Sequence, residues 1–299
     1  MNRSNALGRY SLLLSARRIC VAAFFAFYLL SPGVSLHAEP WADSREILEP
    51  GLELAVIPFN TELGSREDLV ILRVDPETVT LDLLMSSELG IEPLTPEAWA
   101  ESYDLLAVIN ASMYLGNANT STGYMRHGDF VNNGNIAGRF GAFFVSGLKD
   151  AAGAGAGPHP PAAILDREAD DWQDLLPLYD AVAQNFRIID SNGKLLWGSG
   201  DKRHSIAALG EDEAGYIYFI HTPGMISVPE LVRLLSGLPI KLTRLMYVEG
   251  GRPAALHIRT PKLTRTWRGR YAEFLQDDSG TVPLPNVIVV RAKNASGSN

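Results

Sequence analysis

The sequence holds a single cysteine, Cys20, and it falls inside an apolar run near the start. An intrachain disulfide, a thiol nucleophile in the body and a cysteine-based zinc site are therefore excluded. Histidine is sparse as well: His127, His159, His204, His221 and His257 are scattered, with no His-x-x-x-His and no Glu-x-x-His pair. A hydrolytic zinc site thus has no signature. The Gly-x-Ser-x-Gly elbow of serine hydrolases is missing, and so is a dinucleotide fingerprint after the first strand. The glycine run at 151–158 lacks the lysine and hydroxyl residue of a phosphate-binding loop, so it reads as a surface loop. Basic residues are too few for a nucleic-acid partner: 26 Lys and Arg face 34 Asp and Glu, a formal net charge of -8. Phosphate backbones need a basic footprint, and this chain offers none.

What is present begins with an export pattern. Residues 1–38 carry four arginines and no acidic side chain, and Ile19 to Leu30 is uniformly apolar. As a helix that run spans about 18 Å, short of the roughly 30 Å hydrocarbon core of a bilayer. With the break at Ser31-Pro32-Gly33 and the exit at Ala38, it reads as a secretory signal peptide. An uncleaved anchor through residues 19–36 is the second reading and a buried helix the third. The expected location is periplasmic or extracellular, with no stable membrane span in the mature chain unless the segment stays uncleaved. The body, residues 39–299, should be one domain that holds by burial alone.

Strands are expected at 52–59, 69–75 and 79–85, the last two paired antiparallel across the Asp75-Pro76-Glu77 turn. Thr95 caps a helix with Pro96 at its first position. Leu105 to Ile109 is a strand buried on both faces that ends at Asn110. Residues 111–139 form a long loop, and 140–145 a strand. A helix broken at Pro177 is expected over 170–183, and a hairpin around Asp190-Ser191-Asn192-Gly193. A strand pair follows at 205–210 and 216–220. Ser227 and Glu230 have capping-box spacing at the head of a helix. Strands at 245–248, 254–258 and 287–290 complete an α+β class fold: one mixed domain with a twisted, largely antiparallel sheet, short strands and three to four helices.

Chemistry-bearing residues gather at strand ends. Asn110 closes one strand, Arg203 precedes another, and Glu249-Gly250-Gly251 ends a third, the glycines allowing close backbone approach or positive φ. The order of Asn110-Ala111-Ser112-Met113-Tyr114, Thr122-Gly123, Asn132-Asn133-Gly134, Arg203 to Gly210 and Tyr247 to Gly251 resembles the phosphodiester glycosidase family, over roughly residues 50–291. Glu249 stands where that family has aspartate, and Arg252-Pro253 replace its following glycine and serine.

The resemblance implies a hydrolase that cleaves a sugar-1-phosphodiester, or an envelope glycan of that chemistry, at the anomeric carbon. The leaving phosphomonoester has a second pKa near 6, so its protonation matters less than in an ordinary glycoside. Arg203 is then expected to hold the phosphate, with Arg139 or Arg252 as helpers. Glu249 would activate water or attack directly, and Asn110 would orient it or bind a sugar hydroxyl. Tyr114, Gly250 and Gly251 are expected to line the substrate, with Asp129 and His204 in reserve. No cofactor is expected; a divalent cation on Asp129, Asp201 or Glu249 has no ligand spacing behind it. The rival reading is a non-catalytic, exported carbohydrate-binding or envelope-associated protein on the same fold.

Overall fold

The computed structural model describes residues 44–149, 159–198, 202–270 and 282–293. The export signature at 1–38, the glycine run at 151–158 and Asp201 lie outside the described residues. Among those described, no helix is long and apolar enough to cross a membrane.

Two open, mostly antiparallel sheets carry the fold, as the α+β reading expects. The first runs β1 (Arg45–Glu49), β2 (Leu52–Asn60), β3 (Arg66–Val74), β12 (Ile217–Ile226), β11 (His204–Asp212), β13 (Leu242–Gly250), β10 (Tyr179–Arg187), β6 (Met125–His127) and β7 (Phe130–Asn133). On the other edge of β10 it continues into β8 (Ala142–Leu148) and β9 (Ala162–Asp166). The second sheet has the order β15 (Thr264–Arg268), β14 (Ala255–Arg259), β5 (Ala107–Asn110), β16 (Asn286–Ala292) and β4 (Val79–Met85).

Between the sheets lies the main core, built from alternate residues of each strand. Val79, Leu81 and Leu83 of β4 face Leu54, Leu72 and Leu209 of the large sheet within one cluster. The period of two in these strands is what commits one face to the interior. Among the described residues, four short helical segments flank the sheets. Helix α1 (Ser86–Leu89) follows β4 directly. Helix α2 (Pro96–Ser102) begins where Thr95 Oγ1 accepts from the Ala98 N–H at 3.2 Å, and its Trp99 packs on the small sheet. Helix α3 (Trp172–Leu175) lies over β8 and β10. Helix α4 (Val228–Ser236) covers the outer face of β11, β12 and β13 with Leu231, Leu234 and Leu235.

Several sequence expectations are corrected. β3 and β4 do not pair; they belong to different sheets. Both edges of β3 are taken, by β2 and β12, and β4 pairs with β16. The Asp75 turn, where the Thr78 and Val79 N–H groups both reach the Asp75 carbonyl at 3.0 Å, is a corner between layers. The long loop at 111–139 contains the β6–β7 hairpin, whose strands of three and four residues are too short to show a period. The helix expected over 170–183 ends at Leu175 with a single 3-10 turn to Leu178, after which the chain becomes β10. Tertiary partners β6 and β8 decide that strand from both edges. The hairpin around Asn192-Gly193 survives as a turn with one bridge, Ile189 to Leu195. Ser227 does cap α4, but Glu230 does not return its carboxylate to the cap; it turns to Arg203 instead. β1 and β15 were not read from the sequence at all.

Candidate active site

The site forms at the end of β13. Ala207 of β11 pairs with Glu249 and Ala208 with Tyr247, so Val248 is the extra residue of a bulge. A bulge sets neighbouring side chains on one face. Val248 therefore joins the core between the sheets, and Glu249, opposite Ala207, faces the same side. Tyr247 turns to the other face, beside helix α4.

Glu249 is only 8% exposed. Its Oε1 accepts from the Gly250 N–H at 2.8 Å, and no other described residue shares a hydrogen bond with the carboxyl. Burial disfavours the charged form and pushes its pKa up to about 8, against the downward pull of the Gly250 N–H. At neutral pH this carboxyl thus carries a proton.

The two glycines after it are required by space and by backbone. A Cβ on Gly250 would lie 1.9 Å from the Tyr247 hydroxyl and 2.8 Å from the His204 ring. Gly251 has φ of 71°, the left-handed region. Its N–H reaches the Ser205 carbonyl at 2.8 Å, which ties the turn to β11.

Asn110 holds the same turn from the small sheet. Its Oδ1 accepts from the Ala255 N–H at 2.9 Å and its Nδ2 donates to the Pro253 carbonyl at 3.0 Å. The side chain is 1% exposed, so both ends of the amide serve backbone, not ligand. Asn110 thus anchors the 253–255 segment that follows the glycine turn after Glu249.

Arg203, expected from the sequence to hold a phosphate, is engaged by two carboxylates. One guanidinium nitrogen donates to Glu230 Oε2 at 2.5 Å and the other to Glu62. The Glu230 side chain is fully buried, and its other oxygen accepts from the Glu62 N–H at 2.8 Å. Arg203 thus neutralises a buried carboxylate in the first turn of α4. Its neighbour His204 does reach the site, with its ring against Gly250 and 6.1 Å from the Tyr247 ring.

The remaining expected residues divide. Arg252 is half-buried in the Gly251 turn, and Tyr114 is bridged to Ser121 in the segment after Asn110. Arg139 lies beside the aromatic cluster of Phe140 and Phe186, 5.4 Å from each ring. Asp129 is exposed in the β6–β7 turn, at the Asp180 end of β10. Asn185, which donates to the Val248 carbonyl at 3.1 Å, marks the end of β10 beside Glu249. Five strand residues, about 16 Å, separate the two ends, so Asp129 stands apart from Glu249. Among the described residues no group of three or more His, Cys, Asp or Glu is placed to hold a metal ion.

Sequence reasoning missed three residues here. Asn185 is fully buried where β13 and β6 part along one edge of β10. His221 pairs with Ala207 from the side opposite Glu249 and is fully buried. Trp197 stands between Phe186 and Tyr247, 5.2 Å from each ring. Only Trp197 carried a visible signal, an aromatic beside a turn; the other two sit inside strands read as plain core.

No protein-family model and no curated protein sequence matches the chain. Solved structures do. The chain is similar to the zebrafish N-acetylglucosamine-1-phosphodiester alpha-N-acetylglucosaminidase catalytic domain, auto-inhibited by its pro-peptide, with TM-score 0.58 and 13% identity over 84% of this chain and 86% of that one. A hypothetical protein from Synechocystis is similar with TM-score 0.53 and 11% identity, over 82% of this chain and 62% of the other. These likenesses establish a shared fold.

Proposed function

We propose that the protein is a hydrolase of sugar-1-phosphodiesters, cutting the bond between the anomeric carbon and the phosphate oxygen with Glu249 as its proton-transfer group. The observation that carries the reading is the buried carboxyl of Glu249, its pKa pushed up by burial, at a strand end with a glycine pair behind it. The fold shared with an N-acetylglucosamine-1-phosphodiester glycosidase supports the substrate class.

A neutral carboxyl admits an anionic phosphodiester without repulsion. As the anomeric C–O bond breaks, its electron pair goes to the phosphate oxygen, which takes the proton of Glu249. The resulting carboxylate faces an oxocarbenium-like centre and supports its positive charge. Water then adds to the anomeric carbon and returns a proton to Glu249. Asn110 and Gly251 keep the turn that aims the carboxyl, and Gly250 lets Tyr247 and His204 stand close to it. The export pattern of residues 1–38 would deliver this activity outside the cytoplasm.

The test is release of free sugar from N-acetylglucosamine-1-phosphate methyl diester. Wild type should release it and E249Q should lose at least 100-fold in kcat with KM nearly kept. Equal turnover by E249Q overturns the reading. The engagement of Arg203 by Glu62 and Glu230 favours a second reading, a carbohydrate-binding protein without turnover. That reading gains if neither protein releases sugar while both bind it.

A further inference from the structure

Three segments meet at the start of β10: the β6–β7 turn, the residue after β8, and helix α3 with its 3-10 turn. A cavity of about 510 Å³ opens among them, in the size range of small-molecule sites. Tyr124, Arg126, Asp129, Lys149, Trp172 and Gln173 contribute to its wall. Among the described residues Trp172 alone also lines a second cavity, between residues 138–141 and 196–198.

The wall is fixed in advance. Gly128, with φ of 54°, makes the turn that carries Asp129, and its N–H is tied to the Asp180 carbonyl at 3.0 Å. Arg126 then gathers the backbone around it. One guanidinium nitrogen donates to the carbonyls of Gly128 and Asp180, both at 3.1 Å, and the other to those of Leu176 and Tyr179 at 2.9 and 2.8 Å. Trp172 is stacked on Phe143 with centroids 5.2 Å apart and planes at 20°. A wall held in this way needs little ordering when a ligand arrives.

The groups left over have a recognisable chemistry. Asp129 and Gln173 are exposed, and neither side chain has a hydrogen-bond or ionic partner among the described residues. The Lys149 ammonium lies 3.1 Å from the Pro177 carbonyl and 3.6 Å from Asp180, so at least one of its three donors remains. An anion entering here would meet the Asp129 carboxylate, and a cation would meet Lys149. A carboxylate acceptor, an amide that gives and takes, and an ammonium donor beside two aromatic rings suit hydroxyl groups on an apolar ring.

We propose that this cavity binds a neutral oligosaccharide, with a pyranose ring against Tyr124 and Trp172 and its hydroxyls on Asp129, Gln173 and Lys149. The cavity lies at the end of β10 away from Glu249, and Glu249 takes no part in it. Its role is to hold the protein on a glycan.

The experiment is titration calorimetry on the full chain with four trisaccharides. Chitotriose and cellotriose are neutral, the glucosamine trimer is cationic and trigalacturonate is anionic. At least one neutral trimer should bind 10-fold or more tighter than both charged ones. Q173A and D129A should each weaken it about 5-fold with the melting temperature unchanged, as loss of a hydrogen bond does. R139Q, in the second cavity, should leave it as it was, which separates the two sites that share Trp172. Absence of neutral-trimer binding at millimolar concentration overturns the proposal, as does equal binding of a charged trimer. Binding that R139Q weakens and Q173A and D129A do not would also overturn it. E249Q should bind like wild type, so that loss of diester turnover and loss of this site are read independently.

Discussion

Glu249 and His221 stand in one row of the large sheet, each paired with Ala207 from opposite sides. The small side chain between them leaves both groups on the face that looks into the core. Their protonation is pushed in opposite senses by the same burial. The carboxyl is held neutral up to about pH 8, and the imidazole is held neutral down to about pH 3. Among the described residues neither ring nitrogen of His221 has a hydrogen-bond partner, and only the Ile206 backbone works against the downward push of burial.

Opposite pH dependences follow from that row. The native state binds the Glu249 proton more tightly than the unfolded chain does. Its contribution to stability is complete below pH 4.5 and is lost as pH rises through about 8. Urea unfolding of wild type against E249Q from pH 4 to 9 should show the difference shifting steadily in favour of E249Q. In the hydrolase, the same proton sets an alkaline limb in kcat/KM near pH 8.

His221 acts on the acid side. Its native pKa lies below the unfolded 6.5, so the contribution is present above pH 6.5 and is lost as pH falls toward about 3. Replacing an unpaired buried polar ring by an apolar one removes a desolvation cost. His221→Phe should be neutral or stabilising at pH 7 and should resist acid better than wild type. A loss above about 2 kcal/mol at pH 7 would mean that the ring nitrogens have a partner, since an unpaired polar ring offers nothing to lose.

Arg203 should matter first for folding. Removing it leaves the fully buried carboxylate of Glu230 with only the more distant Arg233, at 3.8 Å, as a cation, at a cost of up to about 3–5 kcal/mol. R203A should melt well below wild type, and R203A/E230Q should recover most of the difference. A phosphate-binding role would instead give R203A a near-normal melting temperature with a raised KM.

Asn110→Ala should orphan the Ala255 N–H and the Pro253 carbonyl, at about 1–3 kcal/mol for each group left unpaired. Because those groups fix the turn after Glu249, kcat should fall as well, which steady-state kinetics beside a melting curve would show.

His127 clamps the two sheets. Its Nε2 lies 3.2 Å from Asp82 of β4 and its Nδ1 2.9 Å from Glu88 of α1. The hydrogen bond to Asp82, aided by Glu88 against the cost of burial, pushes its pKa up to about 9. A raised native pKa gives stability that is full below pH 6.5 and is lost as pH rises through about 9. His127→Ala should cost about 1–2 kcal/mol at pH 6, allowing for partial solvent screening, and little at pH 10. Chemical denaturation at the two pH values decides it.

The elements legible in the sequence are those whose cause is local. Alternation over 79–85, the Thr95-Pro96 start, the Ser227 cap and the apolar run closing at Asn110 each announce themselves within a few residues. The Glu249-Gly250-Gly251 end was legible for the same reason, since a glycine pair behind an acid implies close approach and positive φ. β6 and β15 were not, because short strands depend on which edges receive them, and β10 was read as helix over its first half because its strand state is decided by β6 and β8 on its edges.

Residue order therefore determined the α+β class, the acidic and cysteine-free body, and the nomination of Glu249 and Asn110. Tertiary structure decided the partners: that β3 and β4 part into different sheets, that Arg203 serves Glu230, and that Asn110 grips backbone. It also decided that a bulge at Val248 turns Glu249 inward, where burial keeps its proton. Charge state and hydrogen-bond partners are set by what surrounds a group in space, and β11, distant in the chain, supplies that surrounding for Glu249 as readily as its neighbours in sequence.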